Sequence, residues 1–161
     1  MISYAYLDTP VGSLLLRANE DGLREITFLK PGLRVLPESD WQEDPRVFGE
    51  AIRQLRAYFR GELEEFDIRL APEGTEFQQR VWTELSKIPY GETVSYGELA
   101  RRIGNPKASR AVGLANGSNP IPIIIPCHRV IGANGKLTGY GGGLPIKKKL
   151  LALEKGQLRL L

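Results

Sequence analysis

The 161-residue sequence predicts a mixed α/β (α+β) fold in two unlike halves: an antiparallel β-sheet with one helix over residues 1–71, and a helical unit over residues 72–161. Three observations lead there. Short apolar runs divided by turn residues fill the first third. Apolar stripes at helical spacing, opened by capping residues and closed by glycine or proline, fill much of the second half. Between them, at Ala71-Pro72-Glu73-Gly74, the composition shifts and the net charge changes sign.

The runs Ile2 to Leu7, Ser13 to Ala18 and Leu23 to Phe28 read as strands of a meander, turned at Thr9-Pro10-Val11-Gly12 and Asn19-Glu20-Asp21-Gly22. Lys30 to Asp44 is polar, carries Pro31, Gly32 and Pro37, and reads as a loop. Phe48, Ala51, Ile52, Leu55 and Phe59 recur at helical spacing within Val47 to Phe59, and Gly61 ends that helix. Phe66 to Leu70 alternates and reads as a fourth strand. Past the boundary, Thr75 caps a helix whose stripe is Phe77, Val81, Trp82 and Leu85, stopped by Pro89-Tyr90-Gly91. Ser95 caps Tyr96 to Ile103, with Glu98 at the capping-box position and Gly104 at the stop. Asn105 caps a third helix with Pro106 at its first position. A last helix starts near Pro145 and ends at Gly156. Its inward stripe is Ile146, Leu150, Leu151 and Leu153, with Glu154 on the same face and Lys147, Lys148 and Lys149 turned largely elsewhere.

The composition, 42% hydrophobic and 25% charged, is that of a folding domain with a proper core. The single cysteine excludes an internal disulfide and points to a cytoplasmic protein. The start shows no signal peptide, and no apolar run is long enough to span a membrane. Residues 1–71 carry 9 Lys/Arg against 13 Asp/Glu, a net of −4; residues 72–161 carry 13 against 6, a net of +7. Between Thr93 and Leu153 the only acid is Glu98. A basic half suits a polyanion such as nucleic acid, although a solvated basic surface gives the same count.

Cys127 stands beside the chain's one histidine, His128, in Ile125-Pro126-Cys127-His128-Arg129-Val130. A thiol reacts as its thiolate, which a nearby imidazole or a set of free backbone N–H groups promotes. An inert core cysteine is the bland alternative. The run Asn119-Pro120-Ile121-Pro122-Ile123-Ile124-Ile125-Pro126 excludes helix and predicts a rigid, buried, extended arm into Cys127. Cys127 to Ile131 reads as a helical turn that lowers the thiol pKa. Adjacent side chains on such a turn diverge by about 100°, so a water is the expected link between Cys127 and His128. Glu154, a carboxylate on an apolar face, is the candidate acceptor for the other ring nitrogen. The two helices meeting at Gly104-Asn105 read as a helix-turn-helix or as a plain hairpin on the core. The second is slim (Ala108, Ala111, Gly113, Ala115, Gly117) and carries Lys107 and Arg110. Asn134-Gly135 marks a tight turn, and Gly139-Tyr140-Gly141-Gly142-Gly143 a backbone free to approach a ligand.

These blocks, in this order from about Phe77 to Glu154, make the chain resemble the O6-alkylguanine-DNA alkyltransferases. The carrying residues are Gly91-Glu92-Thr93-Val94-Ser95-Tyr96, Asn105-Pro106-Lys107-Ala108-Ser109-Arg110-Ala111-Val112-Gly113, the Asn119 to Val130 block, Tyr140 with its glycines, and Glu154. The N-terminal third matches only in character. The resemblance implies a ribonuclease H-like N-terminal domain and single-turnover repair of O6-alkylguanine in double-stranded DNA, with O4-alkylthymine left open as a second substrate, by a protein that is a monomer or loads cooperatively. It implies that Cys127 accepts the alkyl group, with His128 as water-mediated base held by Glu154. Asn119 would steady the turn before the active-site arm. Tyr96 would donate toward guanine N3 or crowd the 3′ phosphate. Arg110 would fill the space left by a nucleotide flipped from the minor groove, with Lys107, Ala108 and Ser109 on the same DNA-binding face. Main-chain carbonyls of Cys127 and Val130 would read the guanine amino group, the Gly141 N–H would bond O6, and Tyr140 would wall the alkyl pocket. No cofactor is implied.

Some family members carry an N-terminal zinc site of Cys and His; no such set occurs here, so no metal is expected. Gly141 and the Asn116-Gly117-Ser118 turn depart from bulkier versions and leave pocket size open. Two rival functions remain at this point. A lesion-binding sensor or regulator would bind without taking the alkyl group, and a cysteine hydrolase using Cys127, His128 and Glu154 would turn over repeatedly.

Overall fold

The meander forms as expected because its alternating residues place one face of each strand against the helices. In the computed structural model, which describes residues 1–31, 38 and 40–157, β1 (Ser3–Thr9), β2 (Gly12–Asn19) and β3 (Gly22–Phe28) pair antiparallel, and β4 (Gln42–Glu43) adds a short parallel edge beside β1. The order is β3-β2-β1-β4. Ala5, Leu7, Leu14, Leu16, Leu23 and Ile26 reach the core. The polar segment expected as a loop thus contributes an edge strand at its end; residues 32–37 and 39 lie outside the described residues.

Phe66 to Leu70 does not become the fourth strand. Only Leu70 bridges to Leu23, through Leu23 N–H to Arg69 O and Ala71 N–H to Leu23 O. The approach is tight: a Cβ at Gly22 would lie 2.7 Å from the Arg69 carbonyl oxygen, and Gly22 has φ +140. Glycine lets the segment cross β3 at one point. Phe66, Ile68 and Leu70 instead use their alternation to pack partly buried on the core.

A short 3-10 turn at Pro45–Phe48 leads into α1 (Gly49–Phe59), which buries Leu55, Tyr58 and Phe59. The helical half follows as α2 (Glu76–Leu85), β5 (Val94–Ser95), α3 (Tyr96–Arg102), α4 (Ser109–Gly117), a 3-10 turn at Cys127–Arg129, β6 (Val130–Ile131) and α5 (Leu144–Glu154). Thr75 caps α2 in a full capping box with Gln78. Ser95 caps α3, but Glu98 pairs with Arg101 and Arg102 and does not complete the box. The third helix starts later than expected: Pro106 and Lys107 form a turn closed by Ala108 N–H to Asn105 O, and α4 opens at Ser109 without a side-chain cap. The Trp82 indole donates to Ala115 O at 2.8 Å and ties α2 to α4. One continuous core joins the sheet, α1 and the helical half.

Candidate active site

The residues between α4 and the cysteine fold into a turn. Ile125 N–H bonds Ile121 O at 2.9 Å, so the segment doubles back and is not the extended arm expected. A proline's fixed φ serves a turn as well as an extended chain. Asn119 supplies the bracket: its side-chain amide donates to Ile125 O at 2.8 Å and its oxygen accepts from Ile121 N–H at 3.0 Å. Ile123 at the apex has φ 74, a left-handed conformation that costs a β-branched residue about 1–2 kcal/mol. Every residue from Ile121 to Val130 is buried, and this packing holds the strained turn.

The following turn is shorter than the helical reading. Cys127, His128 and Arg129 make one 3-10 turn, and the β-branched pair Val130–Ile131 then adds parallel to Val94–Ser95. Cys127 is only 5% exposed, yet it lines a cleft of about 310 Å³. Its electrostatics run against expectation. Burial pushes the thiol up to about 11, and the Asn119 side chain, the charge of Lys147 and its own backbone N–H oppose this without winning. Cys127 N–H is bonded to Ile125 O, so the turn is no open N–H nest.

Behind the turn the bonding is dense. His128 is fully buried and its Nε2 lies 2.6 Å from Glu154 Oε2. Arg129 donates through Nε to Oε1 at 2.7 Å and through Nη2 to Oε2 at 3.1 Å. The Tyr58 hydroxyl donates to Oε2 at 2.5 Å, and Gly91 N–H reaches Oε1 at 3.4 Å. Burial alone would raise the Glu154 pKa, but His128 and Arg129 outweigh it and hold the carboxyl at about 2. Burial also lowers the His128 pKa, leaving a neutral ring near neutral pH. A carboxylate accepts only, so Nε2 carries the proton and Nδ1 is left as a base. Nδ1 has no protein partner, and no hydrogen bond joins Cys127 to His128 directly.

The sequence reading missed four residues. Arg129 and Tyr58 complete the Glu154 cluster. Phe28 lines the same cleft as Cys127, its ring centre 5.7 Å from that of Tyr140. A Cβ at Gly142 would meet that Phe28 ring at 3.0 Å, which is where the glycine run needs its freedom. Lys147 is not turned away as expected: it is fully buried, and its Nζ donates at 2.7 Å to both Val130 O and Thr138 O. Its signal was available, since 147 lies three, four and seven residues before Leu150, Leu151 and Glu154.

Of the other expected site residues, Asn116, Asn119, Tyr140 and Gly141 line the cleft with Cys127. Asn116 donates to Cys127 O at 3.4 Å. Val130 is buried outside the cleft lining, and its carbonyl already accepts from Lys147. Tyr96 stands apart from the cleft, where its hydroxyl accepts from Thr138 and its ring packs under Gly113 of α4. Lys107 and Arg110 are exposed, Ala108 and Ser109 half-buried. Among the described residues no acid pairs with Lys107 or Arg110, and no Cys/His/Asp/Glu group could hold a metal. No helix there is long and apolar enough to cross a membrane.

The model of the 6-O-methylguanine DNA methyltransferase DNA-binding domain matches residues 76–156, and that of the same proteins' ribonuclease-like domain matches residues 2–72. A methylated-DNA–protein-cysteine methyltransferase of Methanosarcina acetivorans is 60% identical over 151 residues, 94% of this chain and 97% of that one. The Mycobacterium tuberculosis OGT crystal structure in complex with DNA is 56% identical, covers 96% of this chain and 94% of its own, and superposes with a TM-score of 0.87. A Pyrococcus kodakaraensis O6-methylguanine-DNA methyltransferase structure shares the fold at 25% identity, with a TM-score of 0.68 over 96% of this chain and 99% of that one. By these matches and its own cysteine cleft, the chain belongs to the 6-O-methylguanine DNA methyltransferase family.

Proposed function

We propose that this protein repairs DNA by direct reversal, moving the alkyl group of O6-alkylguanine irreversibly onto Cys127, once per molecule and without a cofactor. The observation that carries it is the sole cysteine in the wall of a cleft, with a charge-saturated Glu154–His128 pair directly behind it. The DNA complex of a 56% identical relative supports DNA as the partner.

The thiol proton leaves through a water to His128 Nδ1, while Glu154 holds the ring and stabilises the imidazolium. The sulfur attacks the alkyl carbon, the C–O6 bond breaks, and the guanine takes a proton as it leaves, so substrate and thiol become guanine and a thioether. The Gly141 N–H assists that departure, Tyr140 walls the alkyl group, and Tyr96, outside the cleft, crowds the 3′ phosphate. Carbonyls of Cys127 and Val130 face the guanine amino group, each keeping a second lone pair beside its Asn116 or Lys147 bond. Asn119 fixes the turn. Neither His128 nor water readily cleaves the C–S bond, which ends the reaction after one turnover.

Chemistry at O6 needs the nucleotide out of the stack. We place α4 in the minor groove, whose poor base code suits a lesion found in any sequence. Arg110 fills the vacated space, and Lys107, Ala108 and Ser109 lie on the backbone. Residues 72–161 perform docking and transfer, residues 1–71 support the cleft wall, and the protein works as a monomer in the cytoplasm.

Intact mass after incubation with O6-methylguanine duplex tests this. We expect about 14 Da added, the mass of a methylene, on Cys127. Lesion binding without added mass would replace the reading with a sensor, and repeated demethylation by unmodified protein with a hydrolase.

A further inference from the structure

The outward face of α4 carries one large apolar side chain that nothing in the fold explains. Leu114 is 74% exposed, the most exposed large hydrophobic residue of the protein's described interior segments. Beside it stand Arg110 and the small residues Ala111 and Gly117, all exposed, while Val112, Ala115 and Asn116 turn inward. Leu114 lies one turn after Arg110, so the two side chains rise side by side from the same face. The surroundings are basic, with Lys107 and Arg110 unpaired and Arg101 and Arg102 exposed on α3. Lone exposed leucines are ordinary, but this one stands on the face that the proposed docking turns toward DNA.

We propose that Leu114 is an apolar anchor of the DNA-docking face, seated in the minor groove against the deoxyribose walls beside the nucleotide that Arg110 displaces. This rests on the proposed docking of α4. The chemistry is complementary. Phosphates at the groove rim take the cations, while the sugar edges of the groove present C–H surface that water covers poorly. Minor-groove proteins use apolar side chains as wedges that hold a groove open and favour unstacking. A leucine on otherwise slim ground makes such a wedge, and Ala111 and Gly117 on either side let the helix backbone come close.

An apolar contact and a phosphate contact differ in their salt response. Counterion release belongs to cations, so loss of a phosphate contact flattens the dependence of affinity on salt. Loss of an apolar contact weakens binding equally at every salt concentration.

The test compares wild type, Leu114→Ala and Arg110→Ala in single-turnover transfer from an O6-methylguanine duplex across a salt series, and from free O6-benzylguanine. We expect Leu114→Ala to slow duplex transfer about tenfold at every salt concentration, equivalent to about 1.4 kcal/mol, with the salt slope and the free-base rate of wild type. A duplex rate within about twofold of wild type, a flattened salt slope, or an equal loss on free O6-benzylguanine would overturn the assignment. Leu114→Met is the conservative control and should restore most of the rate. If wild type itself takes no methyl group from duplex DNA, the underlying functional reading fails, a result separable from all of these.

Discussion

The two sides of the Cys127–Arg129 turn are built in opposite ways. Behind it, Glu154 collects donors from His128, Arg129, Tyr58 and Gly91. In front, the described residues leave three buried side-chain polar atoms without a protein partner: Asn116 Oδ1, Tyr140 Oη and His128 Nδ1. Asn116 and Tyr140 line the cleft, and His128 follows the residue that does. Buried polar groups are nearly always paired, so unpaired ones concentrated at one cleft mark where a substrate or water completes the set. The rear is assembled in advance and the front is left for the ligand, as preorganised catalysis requires.

Removing the reacting atom is the harshest way to break this contrast. Cys127→Ala should abolish transfer while lesion binding, measured by gel shift, persists; surviving transfer would end the proposed chemistry. Next in size, Glu154→Gln leaves Arg129 buried without its counter-charge, and urea denaturation should show a loss of about 3–5 kcal/mol with slowed transfer. Wild-type behaviour in both would mean that the rear cluster is dispensable.

The two sides also fail at opposite ends of the pH scale. Glu154 is held at about 2, below its ordinary 4.5, so its contribution is complete above pH 4.5 and drains away as pH falls toward 2, by about 3 kcal/mol. Cys127 is raised from 9.0 to about 11, so its contribution is complete below pH 9 and is lost as pH climbs through 11, also by about 3 kcal/mol. The gap between the stability curves of wild type and Cys127→Ala should therefore change in alkali and stay constant at neutral pH. Iodoacetamide labelling of the free protein should rise in rate toward pH 11, and a plateau below pH 8 would show an activated thiolate instead.

Arg110→Ala should slow transfer from duplexes by about tenfold or more and leave free O6-benzylguanine little affected; equal losses would remove its role in the stack. The smallest effect belongs to Tyr140→Phe. Its hydroxyl has no protein partner to lose, so thermal melting should move by about 2 °C at most while transfer slows. A large drop in melting temperature would show that the front is as tightly knit as the rear.

Legibility in the sequence cut across that divide. Cys127 and His128 announced themselves as the chain's only residues of their kinds, and Glu154 as an acid on an apolar helical face. The meander and the caps at Thr75 and Ser95 were readable because local chemistry decides them. Arg129 and Lys147 were hidden because cations are read as solvent-facing, and only tertiary packing put carbonyls and a carboxylate around them. Tyr58 and Phe28 contribute from the N-terminal half across sequence separations that no local pattern spans. The turn at 119–126 was misread as extended because a proline run permits both, and the Asn119 side chain chose between them.

In the proposed repair one buried sulfur accepts one alkyl group and is then spent. Titration of the protein with excess O6-methylguanine duplex, followed by peptide mass analysis, tests it most directly. Repair should stop at one lesion per chain, with S-methylcysteine at position 127. Continued repair beyond one equivalent, or a methyl group found on any other residue, would contradict it.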